Sequence, residues 1–335
     1  MKRHAKPRVG ITLGDPAGIG PEVALKALRD KEVYEAVDPV LIGPRLAVEH
    51  YARQLRLASR LRVVDDLSGS PAQGRIVALD SNEFDLKEIP FGRVHVACGR
   101  AALAAIQRGV ALARAGRLAA IVTGPIHKRS AQMAGMVGAG HTEFIAHLCG
   151  VKDARLMLIG PRLRIIHVSA HVSLREALAL VERRRILRTI ELGLEVMKRL
   201  GFPLPRIAVA GVNPHASDEG LFGDEEKREV IPAVKVATRR GLRVSGPVSP
   251  DTAFYRAVQG EFDLVVAMYH DQGHIAAKTQ GFAEAVNVTA GLPIIRTSVD
   301  HGTAFDLVGK NRAHAENMKR AILLAGQMAS GRRLA

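Results

Sequence analysis

Val9-Gly-Ile-Thr-Leu-Gly-Asp-Pro-Ala-Gly-Ile-Gly-Pro-Glu-Val23 is the stretch from which the fold is read. The apolar run Val9–Leu13 predicts a strand, and the glycines that follow allow a sharp turn. Pro21 suits the first turn of a helix, where its missing N–H would have no partner anyway. With glycines at 14, 18 and 20 the segment is not the dinucleotide fingerprint G-x-G-x-x-G, and without a Gly-Lys-Ser/Thr ending it is not a P-loop. Two readings stay open: a ligand loop whose helix N-terminus offers amides to an anion, or a plain tight strand-to-helix turn.

The same alternation continues outward. Strands are expected at Val9–Leu13, Val40–Ile42, Ile76–Leu79, Ala119–Val122, Leu156–Ile159, Arg164–Val168, Ile207–Ala210, Leu264–Met268 and Ile294–Thr297. The clearest helices between them are Gly99–Ala115, Leu174–Leu200, Asp224–Arg239 and Ala313–Ser330. Strands alternating with helices predict an α/β protein with a largely parallel sheet. Gly160-Pro161 between two apolar runs predicts a hairpin, hence a mixed sheet in the middle region. Ser173-Leu-Arg-Glu176 has capping-box spacing and sets His171 just before a helix.

The composition excludes several classes. Of the 335 residues 47% are hydrophobic and 24% charged, which excludes disordered and collagen-like chains. No run of eighteen apolar residues and no signal-peptide pattern occurs, so a cytoplasmic protein that does not enter a membrane is expected. Cys98 and Cys149 show no metal or redox spacing. The net charge of +15 invites a nucleic-acid reading, but aromatics are only 4% with no Trp, and the basic residues are mostly arginines scattered along helices. A solvated basic surface explains the charge, and its field favours a small anionic substrate over nucleic acid.

Three histidines lie at or just beyond expected strand ends, where open α/β sheets place ligands: His171, His215 and His270. Converging, they would form a divalent-metal site with open positions; apart, they are ordinary surface or core histidines. A second set suits an oxyanion: His141 and Thr142 at the start of a helix, with Lys278, Asn287 and Arg296 in a glycine-rich stretch downstream. Each alone reads more readily as a surface salt-bridge partner. Arg296 also opens a polar, glycine-punctuated loop running to Lys310.

Gly14-Asp-Pro-Ala-Gly-Ile-Gly-Pro-Glu22, Gly140-His-Thr-Glu-Phe144, Asn213-Pro-His-Ala216, Tyr269-His-Asp-Gln-Gly273 and Arg296-Thr-Ser-Val-Asp-His-Gly302 together resemble the 4-hydroxythreonine-4-phosphate dehydrogenase family. The resemblance runs from about residue 8 to the C-terminal helix. It implies a two-domain fold like that of isocitrate and isopropylmalate dehydrogenases, with mostly parallel sheets and a mixed central region. A cofactor-side domain would comprise 1–137 with 291–335, and a metal, substrate and dimerisation domain 138–290. It implies a homodimer whose active site lies between domains and is shared between subunits. The matching His171, His215 and His270 would hold one divalent cation per subunit, zinc, magnesium or cobalt. His141, Thr142, Lys278, Asn287 and Arg296 would hold a phosphorylated hydroxy-acid substrate. Gly14, Asp15, Gly18 and Gly20 resemble a segment of the isopropylmalate enzymes, and His301, Gly302 and Thr303 their cofactor loop, so these would contact NAD or NADP.

Within the family, Gly220-Leu-Phe-Gly-Asp-Glu-Glu226 and His270-Asp-Gln-Gly-His-Ile275 look more like the enzymes of D-threonate or D-erythronate 4-phosphate than the pyridoxal phosphate biosynthetic branch, where a Leu commonly replaces His274. The implied reaction is an oxidative decarboxylation: hydride leaves C3 of the substrate and the resulting β-keto acid loses CO2. Asp251, Asp271 and Lys278 are the candidates for the base. A phosphate acyltransferase-like enzyme is the alternative, and a basic nucleic-acid-binding protein a weaker one.

Overall fold

In a computed structural model the described residues are 6–67, 74–81, 84, 87–281 and 285–331. The strands are β1 (Arg8–Thr12), β2 (Asp38–Gly43), β3 (Leu61–Val64), β4 (Ile76–Asp80), β5 (Ala120–Thr123), β6 (Arg155–Ile159), β7 (Arg164–His167), β8 (Ile207–Ala210), β9 (Val244–Val248), β10 (Leu264–Ala267), β11 (Val286–Ala290) and β12 (Ile295–Ser298). The described residues fall into two compact units, the first within 6–152 with Leu292–Ser330 and the second within Asp153–Gly291 with Gly331.

In the first unit the strand order is β3-β4-β2-β1-β5-β12, every pair parallel. Parallel strands covered on both faces read as unbroken apolar runs, as β1 and β5 do. The helices Val96–Arg114 and Glu316–Ser330 pack on these strands. Val96–Arg114 is long and apolar enough to cross a bilayer by length and composition alone. Its buried residues, Ala97 to Leu112, identify it as a core helix instead. The helix His141–Cys149 packs on Val96–Arg114, so the chain passes to the second unit after Lys152, later than the residue 137 expected from the resemblance.

In the second unit the order is β11-β6-β7-β10-β8-β9. β6 runs antiparallel to both β11 and β7, while β7, β10, β8 and β9 are mutually parallel. This is the mixed sheet that the hairpin at Gly160-Pro161 predicted. The core beneath it is aliphatic, built on residues such as Ile165, Ala208, Val265 and Ala267.

All four expected helices are corrected, the first, Gly99–Ala115, being Val96–Arg114. Leu174–Leu200 is two, Leu174–Ala179 and Arg183–Arg199, because Leu180 and Val181 close the first while the second starts afresh after extended Glu182. Asp224–Arg239 begins with a π-helical turn at Glu226–Val230 before the α-helix Ile231–Arg239. The last helix starts at Glu316 rather than Ala313. β3, β9 and β11 were not expected.

Candidate active site

Neighbouring parallel strands end at the same edge, so the loops after β7, β10, β8 and β9 are brought side by side in that order. They carry His171, His270, His215 and Asp251 respectively. His171 precedes the helix Leu174–Ala179, whose capping box is formed: Ser173 Oγ accepts from the Glu176 amide at 3.3 Å and Glu176 Oε2 from the Ser173 amide at 2.9 Å. His270 is the first residue of the helix His270–Thr279, and its ring centroid lies 5.7 Å from that of His171. Both line a cavity of about 490 Å³ with Ser173, Glu176, Tyr269 and Asp271.

His270 Nδ1–H donates to Asp271 Oδ1 at 2.6 Å, an arrangement that orients an imidazole and leaves Nε2 as its open ligand atom. The same bond holds the Asp271 carboxyl below its ordinary range. Behind His270 the ring of His274 is stacked at 3.6 Å, its Nδ1–H donating to the His270 carbonyl at 3.1 Å. Burial, with the neighbouring charge of His270, pushes His274 down to about 4. His167, 1% exposed, donates from Nδ1 to Leu156 O, and burial pushes it down to about 3. A Cβ on Gly273 would stand 2.3 Å from His167 Nε2, so glycine in this motif makes room for the buried ring.

His215 belongs to an unusual turn. His215 to Glu219 all have positive φ, between 45° and 73°. For residues with a Cβ that conformation costs ~1–2 kcal/mol each, so other contacts must hold it. Asp251 lies in the field of His215; its carboxyl is held below the ordinary range first by the Ser249 hydroxyl, at 2.5 Å, and also by that neighbour. Thus His171 meets His270, and His215 meets Asp251. Among the described residues of one chain, no three His, Cys, Asp or Glu side chains are grouped so as to hold a metal ion. The donor chemistry nevertheless fits a divalent cation: imidazoles beside ionised carboxylates, at an open strand edge.

The first unit gathers part of the anion set. Arg296 on β12 is 2% exposed, and its Nε and Nη2 donate to Thr123 Oγ1 at 3.2 and 2.7 Å. Burial pushes the guanidinium down to about 9, against the favourable charge of Glu143, and leaves it a cation at neutral pH. His141 is the first residue and Thr142 the second of the helix His141–Cys149, whose Gly140 N-cap offers no side chain to the leading amides. Burial and the charge of Arg296 push His141 down to about 3, so its ring is neutral; its buried Nε2 meets no hydrogen-bond partner among the described residues. A desolvated arginine beside an uncapped helix N-terminus suits a phosphate. Lys278 and Asn287 belong to the second unit, on the helix of His270 and on β11. Asn287 Oδ1 is buried without a hydrogen-bond partner among the described residues.

The two segments expected to contact a cofactor touch each other. The Ile19 amide donates to Thr303 O at 3.0 Å, and a Cβ on Gly18 would stand 2.9 Å from Thr303 Cβ. Gly14, Asp15, Gly18 and Gly20 are buried, and the amides of Ala17, Gly18 and Ile19 bond Asp15 Oδ1, Asp15 O and Thr303 O, so most of the anticipated anion-binding amides are used internally. Burial raises the Asp15 carboxyl. Gly302, by contrast, faces open space, and His301 lies beside it.

Residues 35–325 match the model of the family described as pyridoxal phosphate biosynthetic protein PdxA. The chain belongs to the PdxA family. The chain is 42% identical over 331 residues to the D-threonate 4-phosphate dehydrogenase of Cupriavidus necator, covering 97% of this chain and 98% of that protein. Two crystal structures of enzymes titled 4-hydroxythreonine-4-phosphate dehydrogenase are also similar. That from Burkholderia phymatum is 42% identical with a TM-score of 0.86, covering 97% of this chain and 99% of that one. That from Klebsiella pneumoniae is 41% identical with a TM-score of 0.88, covering 98% and 99%. This PdxA-family chain is a dehydrogenase with the mostly parallel α/β fold of these relatives.

Sequence reading of this PdxA-family chain missed several site neighbours. Thr123 reaches Arg296 because β5 pairs with β12, Ser298 opposite Thr123. Glu143 was visible inside Gly140-His-Thr-Glu-Phe144 but not assigned a charge partner. His167, Gln272 and Glu226 lay within or beside quoted motifs, yet nothing in their spacing announced the contacts they make.

Proposed function

We propose that this PdxA-family dehydrogenase oxidises and decarboxylates a 4-phosphorylated 3-hydroxy acid, 4-phospho-D-threonate first, with 4-phospho-D-erythronate and 4-phosphohydroxy-L-threonine as the related candidates. The observation that carries this reading is the set of imidazoles at the ends of adjacent parallel strands, with His270 oriented by Asp271 at 2.6 Å. His171, His215 and His270 would hold one divalent cation, zinc, magnesium or cobalt, with ligands drawn from the two subunits of a homodimer. When bound, such a cation supplies Lewis-acid polarisation, and NAD or NADP supplies the hydride acceptor.

The chain's own residues do the rest. Arg296, His141 and Thr142 of the first unit grip the substrate phosphate, and that binding orients C3 for hydride loss. The proton of the C3 hydroxyl goes to a base while hydride departs, leaving a β-keto acid that releases CO2. Asp251, Asp271 and Lys278 stay the candidates for the base, Asp271 being engaged with His270 and Asp251 with Ser249. Gly302, open to space, and His301 and Thr303 line the nicotinamide side together with the Gly14–Gly20 loop.

The test is reduction of NAD and of NADP by the three phosphorylated acids side by side, with CO2 release measured, before and after chelation and in His215→Ala. The expected result is chelator-sensitive turnover, highest with 4-phospho-D-threonate, and its loss in His215→Ala without loss of fold. Turnover that survives chelation removes the metal. Nicotinamide reduction without CO2 release removes the decarboxylation.

A further inference from the structure

Gly211 follows β8 and opens the turn of His215, and one side chain from the helix His270–Thr279 holds it. Gln272, two residues after His270, donates from Nε2 to Gly211 O at 2.9 Å, while its Oε1 accepts from the Met268 amide at 2.7 Å. It therefore bridges the end of β8 to the end of β10, the two strands that present His215 and His270. From the other side Glu226, 1% exposed, accepts from the Val212 and Asn213 amides at 2.7 and 2.8 Å through Oε1, and from Asn213 Nδ2 at 2.9 Å through Oε2. Glu225 accepts a second bond from Asn213 Nδ2 at 2.8 Å.

Three donors converge on this one buried carboxylate, which accepts through both of its oxygens. The left-handed run from His215 to Glu219 begins two residues beyond this clamp. Strained backbone of this kind persists only where surrounding bonds over-determine it.

We infer that Gln272 and Glu226 are positioning residues that lock the His215 turn in register with the start of the His270 helix, presetting each imidazole as a ligand for a divalent cation. Neither side chain has its polar atoms free for substrate, since both are engaged with backbone and Asn213. The inference rests on the metal reading above for its consequence, and on the hydrogen bonds alone for its geometry.

Gln272→Met removes both bonds of the bridge at similar volume, and Glu226→Gln sets an amide N–H₂ against donors. The experiment compares these variants with wild type and His215→Ala in two ways. The first readout is hydrogen exchange of metal-free protein: the amides of residues 212, 213 and 215–219 are expected to exchange at least tenfold faster in both variants, with β8 unchanged. Unchanged exchange overturns the inference whatever happens with metal. The second is Co²⁺ titration followed by its visible absorption, expected to weaken roughly 10- to 100-fold in both, as loss of supporting contacts around metal ligands does. If His215→Ala weakens Co²⁺ and the two variants do not, the presetting fails and the metal reading stands. If His215→Ala leaves Co²⁺ binding intact, the metal reading fails while the exchange result still decides the geometry. Should Glu226→Gln not fold, Gln272→Met carries both readouts, because Gln272 is half-buried on a helix.

Discussion

Replacing Arg296 with Met separates what this cation does for the fold from what it does for a ligand. Carrying the charge at 2% exposure, with the guanidinium pushed down to about 9, costs the folded chain roughly 5 kcal/mol at ~1.4 kcal/mol per pKa unit. The two bonds to Thr123 Oγ1 return about 1.5–3 kcal/mol each. Met fills most of the arginine stem, so little cavity is left. The opposing terms nearly cancel, and the stability of unliganded Arg296→Met is expected within about 2 kcal/mol of wild type. Affinity for the phosphorylated substrate, in contrast, is expected to fall by about 2–5 kcal/mol, roughly 30- to 5000-fold. Urea denaturation at pH 7 gives the first quantity. Substrate titration of NAD reduction gives the second, with KM rising and kcat falling together, because phosphate binding also orients C3. A variant destabilised by more than about 3 kcal/mol with unchanged KM would refute the reasoning and make Arg296 a structural cation.

Stability is expected to fall with acidity. His141 and His167 are each pushed down to about 3 by burial, so between pH ~6.5 and 3 the unfolded chain binds protons that the folded chain refuses. Their stabilising contribution is complete above pH ~6.5 and is lost below it, by up to about 2 kcal/mol per ring at pH 5; urea midpoints identical at pH 7 and 5 would contradict this. Gly20→Ala places a Cβ 2.0 Å from Leu13 O and is expected to cost about 3 kcal/mol or more, whereas Gly302→Ala meets nothing within 4 Å and should stay within ~0.5 kcal/mol. Thermal denaturation of the pair checks this, and a raised KM for nicotinamide in Gly302→Ala alone would support cofactor contact there. Ser173→Ala removes the capping hydroxyl before Leu174–Ala179, at a cost of about 1 kcal/mol, and hydrogen exchange in that helix should quicken about fivefold.

What was legible in the chain followed the physics of burial. Strands buried on both faces, such as β1, β5 and β10, announce themselves as apolar runs, and the Gly160-Pro161 hairpin follows from turn chemistry. β9, with Gly246-Pro247 inside it, and β11, with Asn287 and Thr289, dilute that signal, because their pairing is fixed by neighbours distant in the chain. The capping box at Ser173 was readable since it is local. The break between Leu174–Ala179 and Arg183–Arg199 was not, because both pieces continue an apolar helical period. The histidines could be placed at strand ends, but only the order β7-β10-β8 shows that the ends adjoin, and the left-handed turn at His215 has no glycine until Gly220 to betray it.

The order of those strands has a consequence for biosynthesis of the protein. His171, His215 and His270 each hang from a separate strand, and β10, which sits between the other two, is the last of the three to leave the ribosome. On the proposed metal reading, a cation would have no seat while the earlier loops emerge and could not template them, unlike the metal of a zinc finger. Loading would then be a late event of maturation, and protein made under metal starvation should accumulate as folded chain that regains activity when metal is supplied.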